Sequence, residues 1–400
     1  MSLTAEKLQQ ATQLVALSEA DVWLTFVRET IEGGDPVLPL ILEGGLTWQS
    51  ALLIGRNGRR VAIVGSYDAG PLLASDEWDE VIPYVHSIRE PLIHALDTLI
   101  PVEQTAPRIA INYSVNDVKA DGLSYGLYLL LTSYLQGTRY ADSLISAEEI
   151  VMALRGLKTP LEIARIQKAI AATEQLFAEI ADFARPGRTE YEVYAHVQHR
   201  MHERGLGFAW DQTGDPIVNS GPDSMPGHGV PSRQIAIAPG HILHVDLGVT
   251  LDGYSSDIQR CWYVPHPGEN TLPEDVQRAF EAVTGAISAG AAALRPGVAG
   301  WQVDAVARHA LVQAGYPEYL HAFGHQVGRM AHDGGAILGP RWERYGRTPV
   351  IPVRASEVYT LELGVNVPGR GYLGIEEMVE VTENGCRWLT TRQMELPLLR

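Results

Sequence analysis

A chain of 400 residues with 46% hydrophobic and 20% charged content is globular and long enough for more than one domain. Acids outnumber bases 48 to 31, and the net charge of −17 excludes the cationic surface that nucleic-acid binding requires. No apolar run approaches the ~20 residues of a membrane span, the polar "MSLTAEKLQQATQL" lacks a signal peptide's apolar stretch, and two cysteines, Cys261 and Cys386, make no disulfide framework; a cytoplasmic protein without a membrane partner is expected.

In chain order, "TAEKLQQATQLVALSEAD" has helical character. The strand-like runs "VLPLILEG", "SALLIG", "RVAIVG" and "EVIPYV" follow. "EPLIHALDTLI" has helical period, "RIAINY" reads as a strand, and "GLSYGLYLLLTSYL" and "SAEEIVMALRGLK" read as helices. This alternation predicts an α/β domain over residues 1–150. "KTP" then punctuates the chain, with Pro160 suited to the first turn of a long helix that opens a second domain, residues 151–400.

The second domain carries an internal repeat. "TPLEIARIQKAIAATEQLFAEIADFARPG" ends at Gly187, and "TLPEDVQRAFEAVTGAISAGAAALRPG" ends at Gly297, an offset of 110 residues. At the same offset Gln167 matches Gln277, His199 matches His309 and Gly205 matches Gly315. Each half therefore predicts a long helix, an Arg-Pro-Gly break, a second helix, a terminating glycine and then strands. Two such halves facing each other leave a cleft along their pseudo-twofold axis.

Between the two helical units lies "HVDLGVTLDGYSSDIQR", residues 244–260. If Asp252-Gly253 forms a two-residue hairpin turn, Asp246 faces Gln259, and Asp257 lies two residues away on the same face. The two carboxylates become diagonal neighbours roughly 5.5–8 Å apart at Cβ. Like charges so placed repel unless a cation neutralises them; from this stretch alone, ligands and a capped turn are equally good readings. "HAFGHQVGRMAHDGG" adds His321, His325 and His332 in a glycine-rich loop, where a single histidine is more often structural. "VYTLELGVNV" places Glu362 inside an apolar strand, where an unpaired carboxylate costs several kcal/mol. "GYLGIEEMVEVT" places Glu376 on the next strand, and a loop centred on Gly369 sets it opposite Glu362. Glu377 and Glu380 read as a solvated acidic edge. Four carboxylates and one imidazole suit Mn²⁺, Co²⁺, Zn²⁺ or Fe²⁺, and two ions ~3.5–4 Å apart can share bridging carboxylates.

From about residue 150 to 390 the sequence resembles the pita-bread (M24) metallopeptidases, the family of methionine aminopeptidase, aminopeptidase P and prolidase. The entry "ALRGLKTPLEIARIQKA" and the additional N-terminal domain are similar to the prolidase and aminopeptidase P branch. The resemblance implies a fold class of an α/β N-terminal domain plus an α+β pita-bread catalytic domain with an internal pseudo-twofold repeat. It implies two divalent metal ions, manganese first and cobalt or zinc as alternatives, with Asp246, Asp257, His325, Glu362 and Glu376 as ligands. Asp257 and Glu376 would bridge the ions. It further implies that His228, in "PGHGVPS", and His332 hold the substrate carbonyl and developing oxyanion. Glu362 would move the proton to the leaving nitrogen after attack by a hydroxide bridging the metals. The activity so implied is Xaa-Pro dipeptidase (prolidase) cleavage of a small peptide. Aminopeptidase P is the near alternative, and creatinase-like metal-free chemistry or a non-catalytic binding protein are more distant ones. A homodimer is expected by the same resemblance. Three positions depart from the family pattern. Gln259 stands where threonine is common, Leu363 where proline follows the first glutamate, and Gly374 where many prolidases have arginine. Arg370 or Arg329 would have to supply the missing substrate-binding cation, though a surface role is the better reading of each.

Overall fold

The computed structural model describes residues 2–224 and 229–400. They form two compact units, Met1–Arg155 and Gly156–Arg400.

The first unit runs α1 (Leu3–Leu17), β1 (Val22–Val27), α2 (Leu38–Ile41), β2 (Ser50–Gly55), β3 (Arg60–Gly65), α3 (Ala69–Ala74), β4 (Glu80–Tyr84), α4 (Arg89–Leu99), β5 (Ile109–Ile111), α5 (Tyr125–Leu135), β6 (Leu144–Ser146) and α6 (Glu148–Gly156). Its mixed sheet has the order β4-β3-β2-β1-β5-β6. Alternate residues of one strand enter different cores. Val22, Leu24 and Phe26 of β1 pack with α4 and α5 residues such as Leu96 and Leu131. Trp23 and Val27 pack with Leu8 and Val15 of α1 and with Val151 and Leu154 of α6. Both faces are covered, so the strands are continuously apolar rather than alternating. The strand-like "VLPLILEG" holds the short helix α2 instead. The Asp35 carboxylate accepts the Val37 N–H at 3.0 Å and starts the turn, and Pro39 sits in its first positions. Strands β1 and β6 went unread in the sequence, the latter because it is only three residues long.

The second unit runs α7 (Pro160–Phe183), α8 (Glu190–Glu203), β7 (Gly207–Phe208), β8 (Ile217–Ser220), β9 (Ile242–Leu247), β10 (Val249–Leu251), β11 (Tyr254–Ser255), β12 (Ile258–Tyr263), α9 (Glu274–Ala293), α10 (Gly300–Gln313), β13 (Val358–Val367), β14 (Gly371–Thr382) and β15 (Gly385–Trp388). Helices α8 and α10 begin and end 110 residues apart, as the repeat predicts. Thr189 and Glu192 close a capping box on α8, a reciprocal pair that satisfies two of the orphan N–H groups at the helix start. The central sheet has the order β13-β14-β12-β9-β8, with β15 added beside β14. One face of this sheet is buried under helices: Trp262 of β12 packs on Phe177 of α7 with ring centroids 6.1 Å apart. The residues of opposite parity point to the other face, and the candidate site lies there.

Candidate metal centre

Two hairpins build the site. In the first, Asp252 and Gly253 adopt φ of 52° and 76°, the left-handed pair that a two-residue turn of the primed type needs. The resulting register sets Asp246 opposite Gln259. In the second, the turn around Gly369 sets Glu362 opposite Glu376. Strand β14 lies beside β12 with Glu376 opposite Gln259. Glu362, Glu376, Gln259 and Asp246 therefore form one lateral row across four strands, and Asp257 joins the same face two residues before Gln259.

His325 reaches this row from the loop after α10. That loop runs along β13. Its Phe323 carbonyl accepts the Glu362 N–H at 2.8 Å, and its His325 carbonyl accepts the Thr360 N–H at 2.9 Å. The His325 Nε2 lies 3.6 Å from Asp257 Oδ2 and 3.9 Å from both Glu362 Oε1 and Glu376 Oε1. Its Nδ1 is 3.5 Å from the Gln326 carbonyl. A proton on Nδ1 donated there leaves the Nε2 lone pair facing the carboxylates, the tautomer a ligand requires. Burial, with His332 beside it, holds the His325 ring neutral by lowering its pKa to about 3. The His332 ring stands edge-on to His325 with centroids 4.3 Å apart.

Ligand-type atoms of Asp257, His325 and His332, of His325, Glu362 and Glu376, and of Asp246, Asp257 and Glu376 each converge within 4.8 Å. Burial, and after it the neighbouring carboxylates, raises the pKa values of Asp246, Asp257 and Glu376 well above the usual range. Burial pushes Glu362 up to about 7. Among the described residues, Asp246 Oδ1 and Glu376 Oε1 are buried without a hydrogen-bond partner. Orphaned acceptors of this kind cost about 1–3 kcal/mol each. Divalent cations held by these residues would give such oxygens a partner and offset the crowded charge, so the donor set fits the metal that the sequence implies.

The chain beyond this geometry has recognisable relatives. Residues 164–383 match metallopeptidase family M24. The protein belongs to that family. It is 31% identical over 250 residues to the Xaa-Pro dipeptidase of Pyrococcus furiosus, covering 62% of this chain and 67% of the relative. The dipeptidase PepE structure from Mycobacterium ulcerans superposes with a TM-score of 0.74 at 26% identity, covering 99% of this chain and 98% of that one. The X-Pro aminopeptidase structure from Thermotoga maritima gives 0.69 at 26% identity, covering 98% and 99%. The architecture is thus an α/β N-terminal unit attached to the pita-bread fold, and M24 membership implies divalent metal ions.

The M24 site has surroundings that the sequence reading missed. His244 lies two residues before Asp246 on β9, and its Nε2–H donates to Gln259 Oε1 at 2.9 Å; the period-two spacing was the signal available for it. Burial lowers its pKa to about 4. Tyr319 and Tyr372 hydrogen-bond to each other, and both sense the Glu362 charge. Tyr319 comes from an irregular loop, so no periodicity could place it. Asp215 accepts the N–H groups of Ala209 at 3.0 Å and Gly248 at 3.4 Å, and burial pushes its pKa up to about 8.

Other expectations fare differently in the structure. Glu377 is not a solvated edge residue. It is 1% exposed and pairs with Arg260 at 2.9 Å on the helix-covered face, since it alternates with Glu376. Arg370 is held by Asp275 at 3.2 Å and by the Tyr263 hydroxyl at 3.3 Å. The Arg329 guanidinium lies 5.4 Å from the Tyr254 ring centroid. Asp275, Tyr263 and Tyr254 all lie outside the carboxylate row. His228 lies outside the described residues. Among the described residues no helix is long and apolar enough to cross a membrane.

Proposed function

We propose that the protein is a dimetal hydrolase of Xaa-Pro peptide bonds, acting as an Xaa-Pro dipeptidase. The observation that carries this reading is the convergence of Asp246, Asp257, His325, Glu362 and Glu376, with unpartnered oxygens on Asp246 and Glu376. The names of the relatives from P. furiosus and M. ulcerans point the same way. In this reading Asp246, Asp257, His325, Glu362 and Glu376 would hold the ions. Bound divalent ions supply Lewis acidity and bring a water molecule's pKa toward neutrality. Glu362 takes up a proton at its carboxylate and returns it to the leaving proline nitrogen. His332, beside His325, donates to the substrate carbonyl oxygen as negative charge develops, with His228 proposed as a second donor. The oxygen-rich donor set with one imidazole favours Mn²⁺, with Co²⁺ or Zn²⁺ as substitutes.

One observation favours the Xaa-Pro aminopeptidase reading as the alternative. Gly374 offers no cation for a dipeptide carboxylate, and Arg370 is engaged by Asp275. The metal-loaded protein should be assayed on a Xaa-Pro dipeptide and on the matching Xaa-Pro-Xaa tripeptide. A dipeptidase cleaves the first at least tenfold faster; preference for the tripeptide selects the aminopeptidase. We also infer a homodimer. Its support is the apolar surface of the first unit, where Tyr125, Leu129, Val115 and Val118 are exposed. A cytoplasmic location agrees with the free cysteines Cys261 and Cys386.

A further inference from the structure

Gln259 stands in the middle of the carboxylate row yet carries no charge, and both of its amide N–H donors and its amide oxygen are engaged there. Its Nε2 donates to Glu362 Oε2 at 3.0 Å and to Glu376 Oε2 at 3.1 Å. Its Oε1 meets His244 Nε2 at 2.9 Å. A primary amide has two N–H donors on one nitrogen, so a single side chain can span two carboxylates. The opposite amide orientation would set Oε1 between two carboxylate oxygens, where like partial charges repel. The two glutamates therefore fix which end of the amide faces them, and the amide oxygen at the other end accepts from His244 Nε2–H.

The consequence lies on the other oxygens. Gln259 takes Oε2 of both glutamates. That leaves Oε1 of both pointing away from Gln259, each 3.9 Å from His325 Nε2. The Glu376 Oε1 so presented has no hydrogen-bond partner among the described residues. Threonine, which has a single hydroxyl donor, could hold only one of the two carboxylates at a time.

We propose that Gln259 is a positioning residue that clamps Glu362 and Glu376 side by side, orienting one oxygen of each toward His325 for metal binding, with His244 holding the amide oxygen at its other end. This inference rests on the dimetal reading above. It places the departure from threonine at this position in the metal site itself, acting through the glutamates and not on the substrate.

The test measures metal binding directly. Metal-stripped wild type, Gln259→Met, Gln259→Thr and Glu376→Gln are titrated with Mn²⁺ by calorimetry, and the visible absorption of each Co²⁺ form is recorded. Gln259→Met keeps the side chain's length but cannot donate, and should weaken Mn²⁺ binding about 10–100-fold, the usual range for a group that orients ligands. Its Co²⁺ spectrum should change in band position or intensity. Gln259→Thr, with one donor, should fall between Met and wild type, and it carries the test if the Met variant fails to fold. Binding within twofold of wild type together with an unchanged Co²⁺ spectrum in Gln259→Met, or in Gln259→Thr when that variant stands in, overturns the proposal. Glu376→Gln separates the two levels. If it loses metal while Gln259→Met does not, only the clamp is wrong; if it too binds like wild type, the metal site is wrong.

Discussion

Replacing Lys158 with methionine removes the cation from a fully buried ion pair. Lys158 Nζ lies 3.3 Å from Asp333 Oδ2, and the two side chains are 0% and 2% exposed. At that distance and an effective dielectric constant of about 20, the attraction is about 5 kcal/mol. Breaking a buried pair from one side costs about 3–5 kcal/mol, because the remaining charge stays desolvated. The packing allows little escape for the stranded carboxylate. A Cβ on Gly328 would come within 2.1 Å of Asp333 Oδ2 and 2.8 Å of Lys158 Nζ. Lys158→Met should therefore lower the stability of the metal-free protein by about 3–5 kcal/mol in urea titration followed by far-UV circular dichroism. The double variant Lys158→Met/Asp333→Leu removes both charges of the pair and should recover at least about 1.5 kcal/mol of that loss, as expected for side chains in direct contact. Asp333 follows His332, and its N–H donates to the Gln326 carbonyl at 2.9 Å. The pair thus ties the histidine loop to the start of the second unit. A loss below 1 kcal/mol for Lys158→Met, or additive effects in the double variant, would refute this reasoning.

Two further predictions address other parts of the chain. Asp35, 4% exposed, has its pKa raised by burial from 3.8 to about 6. Its folded form keeps a proton that the unfolded chain has already lost, so its contribution to stability is present below about pH 4, declines as pH rises to about 6, and is flat above, totalling about 3 kcal/mol. Thermal unfolding between pH 4 and 7 should show a shallower decline for Asp35→Asn than for wild type; equal slopes would contradict the assignment. Gly374→Ala should cost about 1–3 kcal/mol by overpacking, because its Cβ would meet Tyr372 Cε1 at 2.5 Å, Gln259 Oε1 at 2.8 Å and His244 Nε2 at 3.0 Å. A denaturation midpoint equal to that of wild type would show that these side chains yield freely.

Much of the site was legible because hairpin geometry is arithmetic. Once Asp252-Gly253 and the Gly369 turn are assigned, strand pairing fixes the partners of Asp246 and Glu362 with no further information. The repeat was legible for the same reason: shared breakers and caps at one offset impose the same helix boundaries twice. The contacts between the hairpins were not legible, because they depend on which strand lies beside which. The pairing of Gln259 with Glu376 is one such contact, and it changes the meaning of two departures that looked separate. Gln259 fills the space beside residue 374, so a long cationic side chain at 374 and glutamine at 259 compete for one volume. Read singly, glutamine for threonine and glycine for arginine are two unexplained losses. In the structure the two positions adjoin: a Cβ at 374 would lie 2.8 Å from Gln259 Oε1. Glu377 was misread for a simpler reason: a run of acids suggests solvent, and only strand alternation plus Arg260 on the neighbouring strand reveals a buried pair. Tyr319 lies on irregular backbone, where sequence periodicity has nothing to say.

The central claim is that this carboxylate and imidazole cluster works only with metal bound. The most direct measurement is turnover of a Xaa-Pro dipeptide by protein stripped with a chelator and then re-supplied with Mn²⁺, Co²⁺ or Zn²⁺. Activity should be lost on stripping and return with at least one of these ions. Equal turnover before stripping, after stripping and in excess chelator would contradict it.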